Sequence, residues 1–120
     1  MNIKIVVVNV PKEQTHDLKS NTMANICENE LHIFTESIEN ISAVTKFFND
    51  KFPYCTIDDV GDNNIVIYFD SRWDFPKQAM GDLVEIIPDK ENIRLDCLSV
   101  EWGNYYCAFH SYTGDKWVLK

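Results

Sequence analysis

Apolar and β-branched residues at Ile38, Ile41, Val44, Thr45, Phe48 and Phe52 recur at three- and four-residue intervals, the spacing of a helix with one buried stripe. Ser37 stands before this run as an N-cap, Glu39 falls in its first turn, and Pro53 ends it. The pattern predicts a helix from about Ile38 to Lys51. A second signal is the run Ile65-Val66-Ile67-Tyr68-Phe69, in which both parities are apolar. It predicts a strand covered on one or both faces. The run stops at Asp70-Ser71-Arg72, passes through Trp73, and meets Asp74 and Pro76, which suit the first turn of a helix by capping and by fixed φ. That helix presents Pro76, Met80, Leu83, Val84 and Ile87 on one side. Trp73 is expected to plug the end of the core between sheet and helix.

Period-two alternation supplies the remaining strands. Met1 to Val10 reads as an opening strand, Pro11 to Glu30 as a long polar loop, and Leu31 to Thr35 as a second strand. Tyr54 to Ile57 leads into a turn over Asp58 to Asn63, rich in Gly, Asp and Asn. Ile93 to Cys97 is apolar at odd positions, whereas Leu98 to Trp102 is apolar at even ones. Such a parity switch predicts a β-bulge or bend near Cys97. Gly103-Asn104 supplies a two-residue turn, Tyr105 to Ser111 returns antiparallel, Thr113-Gly114-Asp115 turns again, and Lys116 to Leu119 makes a last strand.

The order from Leu31 to Trp102 is βαββαβ. This is a ferredoxin-like α+β sandwich, with two helices on one face of an antiparallel sheet. An extra N-terminal strand precedes it and a C-terminal β-meander follows. At 120 residues the chain has room for one domain, divided into residues 1–30 (strand and loop), 31–102 (ferredoxin-like core) and 103–120 (hairpin strands).

Charge narrows the partners. With 19 acidic against 11 basic residues, net -8, the chain repels nucleic acid and anionic membrane at long range and favours a basic surface on a protein. Its first ten residues lack a basic n-region and fall far short of the roughly 18 needed for a membrane span. Cys27, Cys55, Cys97 and Cys107 are scattered without a CxxC pair, so reduced thiols and a cytoplasmic location are expected.

A family resemblance rests on three groups of residues: Tyr68-Phe69-Asp70-Ser71-Arg72-Trp73-Asp74-Phe75-Pro76, then Leu83 and Ile87-Pro88, then Cys97 to Glu101-Trp102-Gly103-Asn104-Tyr105-Tyr106. Together they resemble the ferredoxin-like domain of Api92-like proteins. There a strand ending in a small residue and Trp, a Pro opening the next helix, and a "Glu, any, Gly" hairpin recur. The resemblance covers about Leu31 to Trp117. The chain departs from the pattern by lacking an "Asn-Trp-Gly" segment before the second helix. The resemblance implies a small accessory protein of a phage, plasmid or other mobile element.

Motif chemistry is sparse. GxSxG, GxGxxG and GxxxxGK are absent, so no catalytic, metal or cofactor residues are assigned and no cofactor is expected. If Gly103-Asn104 is an unbulged turn, Val100 pairs with Cys107 and Cys97 with His110, which makes a cleft near Cys97 and His110 an alternative site for a small enzyme or ligand binder. The leading expectation is a non-enzymatic protein-binding module, an inhibitor of a host defence or nucleic-acid-handling complex. Its candidate contacts are Asp58, Asp59 and Asp62 on the acidic turn and Tyr105, Tyr106 and Tyr112 on the aromatic meander. A homodimeric scaffold joined through an edge strand is a further alternative.

Overall fold

The structure is a computed structural model that describes residues 26–120. The expected strand over Met1–Val10 and the loop residues 11–25 lie outside the described residues. The elements run β1 (Ile26–Phe34), α1 (Ile38–Lys51), β2 (Thr56–Gly61), β3 (Asn64–Arg72), α2 (Lys77–Ile86), a 3-10 turn (Lys90–Asn92), β4 (Arg94–Glu101), β5 (Tyr106–Tyr112) and β6 (Trp117–Leu119). Among the described residues the strands form one six-stranded sheet in the order β2-β3-β1-β4-β5-β6. Every pair in it is antiparallel.

Strand alternation puts Leu31, Ile33, Ile67, Phe69, Leu95 and Cys97 on one face, and all are buried in the core with Val44, Phe47 and Phe48 of α1 and Met80 and Leu83 of α2. Both helices therefore lie on the same face. Phe48 is the centre of the aromatic packing, with its ring 4.8 Å from Phe69, 5.3 Å from Phe52 and 5.4 Å from Phe47.

α1 has the predicted bounds, and the Ser37 hydroxyl accepts from the Asn40 backbone N–H at 3.1 Å. The buried stripe is rotated from the expected one: Asn40, Val44, Phe47 and Phe48 are buried and Ile38 is 74% exposed. Asn40 explains the rotation. Its fully buried amide donates to Asp89 O at 2.9 Å, to Asn92 O at 3.2 Å and to Thr35 Oγ1 at 3.2 Å, and accepts from Asp89 N at 2.9 Å. The start of α1 is thereby clipped to the segment between α2 and β4. The Thr35 hydroxyl also donates to Asn92 O. A second clip holds the last strand, where the Trp117 indole donates to Met80 O at 3.0 Å.

Several boundaries differ from expectation. Residues 26–30 belong to β1 rather than to a loop, because their alternation continues the pairing with β3 down to Ile26↔Arg72. Asp58 and Asp59 belong to β2, which begins at Thr56 rather than Tyr54. The turn is confined to Asp62-Asn63, both at positive φ (55° and 60°), as a tight two-residue hairpin turn requires. α2 starts at Lys77, with Pro76 at the N-cap position and no side-chain cap, so Asp74 does not cap it. The chain turns instead at Trp73, where φ is 71°.

The predicted bulge at Cys97 is absent. β4 pairs without interruption from Leu95↔Tyr112 to Glu101↔Tyr106 on one side and from Phe34↔Arg94 to Glu28↔Val100 on the other. Past Cys97 the helix-side positions of β4 are therefore Ser99 and Glu101, while Leu98, Val100 and Trp102 take the opposite face. Polar side chains in the core, rather than a bulge, account for the parity switch. The turn after β5 holds Gly114 at φ 101°, and a Cβ there would meet the Lys90 carbonyl oxygen at 3.0 Å.

Replacing Asn40 by Ala leaves Asp89 N–H and two backbone carbonyls without their buried partner. It is expected to lower the unfolding free energy by about 2–4 kcal/mol. Ile38→Ala, at an exposed position, should change it by less than about 0.5 kcal/mol. Urea unfolding followed by far-UV circular dichroism measures both.

Candidate functional site

Antiparallel order brings the start of β1, the end of β3, the end of β4 and the start of β5 to one end of the sheet. At that end the helix-side residues become polar on three strands together: Asn29 on β1, Ser71 on β3, and Ser99 and Glu101 on β4. Asn29 is 3% exposed and Ser99 0%. The Ser99 hydroxyl donates to Asn29 Oδ1 at 2.7 Å, and Asn29 Nδ2 donates to Ser71 Oγ at 2.9 Å and to Phe69 O at 3.2 Å. Ser71 in turn donates to Asp74 O at 2.8 Å, carrying the network into the corner after β3.

Glu101 is 1% exposed and its carboxylate accepts from Asn104 N at 2.7 Å and Gly103 N at 3.1 Å. A buried carboxylate held by two backbone donors fixes the β4–β5 hairpin from beneath. This gives the Glu-x-Gly sequence its physical reason: Glu must face inward and the amides two and three residues later must turn back onto it.

Phe75, not Trp73, seals this end of the core. Phe75 is 4% exposed, its backbone N–H donates to the Tyr106 hydroxyl at 3.3 Å, and its ring stacks on His110 with centroids 3.7 Å apart. Trp73 is 53% exposed. The residue turned outward at positive φ cannot fill the core, and the next inward position falls to Phe75. Trp73 therefore joins Trp102, Tyr105 and Ile26 in an exposed rim at this end of the sheet, with exposures from 50% to 91%. Tyr105, like Trp73, has positive φ (56°). Bulky aromatics are rare in that region, and strain of this kind gathers at binding and catalytic sites.

Carboxylates border the rim. Glu28 and Asp70 face each other across β1 and β3, and the Trp102 indole donates to Glu28 Oε1 at 3.3 Å. Burial pushes both carboxyls up from their ordinary values. For Glu28 the Trp102 hydrogen bond opposes that rise and the neighbouring Asp70 charge adds to it.

The sequence-chosen contacts are dispersed. Asp58 and Asp59 lie exposed on edge strand β2 and Asp62 in its turn, four strand spacings from β5, or about 19 Å. Tyr105 is on the rim and Tyr106, half-buried, holds Phe75. Tyr112 is 1% exposed, packed in the core beside Trp117, and presents no surface. The predicted Cys97↔His110 and Val100↔Cys107 pairings are both present. Burial pushes the Cys97 and Cys27 thiols up to about 12, which keeps them protonated and weakly nucleophilic. Burial, with Lys77 assisting and Asp74 opposing, lowers the His110 value, and its Nδ1 has no hydrogen-bond partner among the described residues.

Among the described residues no group of three or more His, Cys, Asp or Glu is gathered so as to hold a metal ion. Among them, too, no helix is long and apolar enough to cross a membrane. Sequence patterning points to aromatics of the C-terminal meander, Trp102 among them, as surplus to the core, but does not single out Ile26 or Trp73 for the exposed rim. Its signal in the sequence was that Trp73 and Trp102 each follow a strand and immediately precede a turn. The chain matches no protein-family model, no curated protein and no solved structure.

Two outcomes follow from these environments. A disulfide reagent at pH 8 should modify exposed Cys107 quickly and Cys27 and Cys97 only when the chain is unfolded, read as thiol release with and without denaturant. The folded His110 binds its proton less readily than the unfolded one. Its contribution is thus whole above about pH 6.5 and is lost as pH falls through the lower folded value. His110→Phe should therefore shrink the loss of stability between pH 7.5 and pH 5.0, measured by urea titration at each pH.

Proposed function

We propose that the chain is a ferredoxin-like, non-enzymatic protein-binding module that docks a basic protein partner on the rim of Ile26, Trp73, Trp102 and Tyr105. The fold half of this reading is supported by the βαββαβ order of β1 to β4 with sheet order β2-β3-β1-β4 and both helices on one face. β5 and β6 then extend the sheet beyond that core. The resemblance to Api92-like proteins supports an accessory role in a phage or other mobile element, with inhibition of a host complex as the form such binding takes.

One observation carries the functional half: two Trp and one Tyr stand half or more exposed on a rim whose backbone is tied by hydrogen bonds. Trp102 is held by Glu28, and the backbone beneath the rim is fixed by the Glu101 and Ser71 hydrogen bonds. Rings ordered before binding lose little freedom on docking, and Trp and Tyr with a charged border make up the energetic centres of interfaces. Glu28, Asp70 and Asp74 beside the rings outnumber Arg72 there and, with the net charge of -8, favour a basic partner over nucleic acid.

A photoreactive phenylalanine analogue placed at Tyr105 in the producing cell tests this. A discrete protein adduct is expected from position 105 and none from position 38 at the far end of the sheet. Adding Trp73→Ala and Trp102→Ala should reduce the adduct at least tenfold. Adducts with nucleic acid alone, or no adduct, would overturn the reading.

A further inference from the structure

Edge strand β2 presents a second surface, away from the rim. Its six residues are exposed except for half-buried Ile57. It pairs with β3 on one side, and its other side faces no strand among the described residues. A row of backbone donors and acceptors is thereby offered to an incoming chain. The register with β3 is regular over Thr56 to Asp59 and shifts between Asp59 and Gly61. The straight stretch is therefore four residues long, about 13 Å, enough for a short extended segment.

Charge decides what pairs there. Asp58 and Asp59 point to opposite faces, because Asp58 pairs with Val66 and Asp59 with Ile65. Asp62 stands at the turn, and from Phe52 to Ser71 the sequence holds no Lys, Arg or His. Among the described residues none of these three carboxylates makes an ion pair. A partner strand laid along β2 therefore meets negative charge on both its faces. A second copy joined β2 to β2 sets Asp against Asp, which cross-strand pairing disfavours. The opposite edge, β6, is only three residues long. Acidic edges of this kind reject their own copies and accept strands bearing Lys or Arg.

We infer that β2 binds an extended, Lys- or Arg-bearing segment of a protein partner as an added antiparallel or parallel strand over Thr56 to Asp59. The inference rests on the reading of the chain as a protein-binding module, to which it adds a mode of contact separate from the rim. Main-chain hydrogen bonds hold the segment, and cationic side chains on two adjacent residues of it meet Asp58 on one face and Asp59 on the other.

Synthetic peptides with a central Lys-Lys pair flanked by valines provide the probe. The peptide should bind the whole chain, perturb and protect the amides of residues 56–59 in NMR spectra, and lose at least tenfold in affinity when alternate residues are N-methylated. N-methylation removes backbone donors and keeps the charge, so pairing is separated from plain electrostatic attraction. Asp58→Lys with Asp59→Lys should abolish binding of the Lys peptide and admit a Glu/Val peptide, with an unchanged unfolding midpoint showing that the variant is folded. An N-methylated peptide that binds equally well, perturbations confined to other residues, or a dimer of the chain lost in the same variant would each overturn the inference. Absence of peptide pairing at β2 of the unaltered chain, together with a rim adduct still formed from position 105, would overturn the edge and leave the rim standing.

Discussion

The amide of Asn29 joins three strands at one end of the sheet. One oxygen takes the Ser99 hydroxyl of β4 and one nitrogen serves Ser71 and Phe69 O of β3. A buried amide is stabilising only when all its groups are satisfied, so its partners must stand at matching depth on both neighbouring strands. The registers Asn29↔Phe69 and Asn29↔Ser99 put them there. A slip of one residue on either strand would strand the amide and turn apolar side chains out of the core. The network therefore specifies register at the end of the sheet where helix-side positions are polar on three strands.

The surface above inherits that order. Ser71 holds the corner through Asp74 O, the corner turns Trp73 outward, and Phe75 drops into the space beside His110. Glu101 does the same for the neighbouring hairpin, placing Trp102 and Tyr105 on the same side. The rim thus sits at the end of the sheet whose backbone the buried polar residues tie down, and the Trp102 ring is held by Glu28.

The elements with strong periodicity were legible in the sequence. α1 was readable to its residue bounds from its stripe, Ser37 and Pro53, and the Cys97↔His110 pairing from the Gly103-Asn104 turn. Ser99 and Glu101 were not readable as core residues, because polar side chains at alternate positions look the same whether they face water or a buried partner on another strand. Trp73 and Phe75 have equivalent claims to the core by hydrophobicity, and only the positive φ at Trp73 separates them. Asp58 and Asp59 carry turn chemistry in their composition, yet tertiary pairing with β3 overrides it and makes them strand.

Asn40 opens the triplet Asn40-Ile41-Ser42, which has the form of an N-glycosylation acceptor. In the folded chain its amide is wholly enclosed and spent on Thr35, Asp89 and Asn92. No enzyme reaches it there, and a sugar attached before folding would have no space at the junction of α1 with the segment after α2. Glycan transfer at Asn40 and formation of this fold are mutually exclusive. A secretory host that modifies nascent chains would convert a stabilising clip into a block on folding, and Ser42→Ala, at an exposed helix position, would remove the conflict while leaving the amide in place.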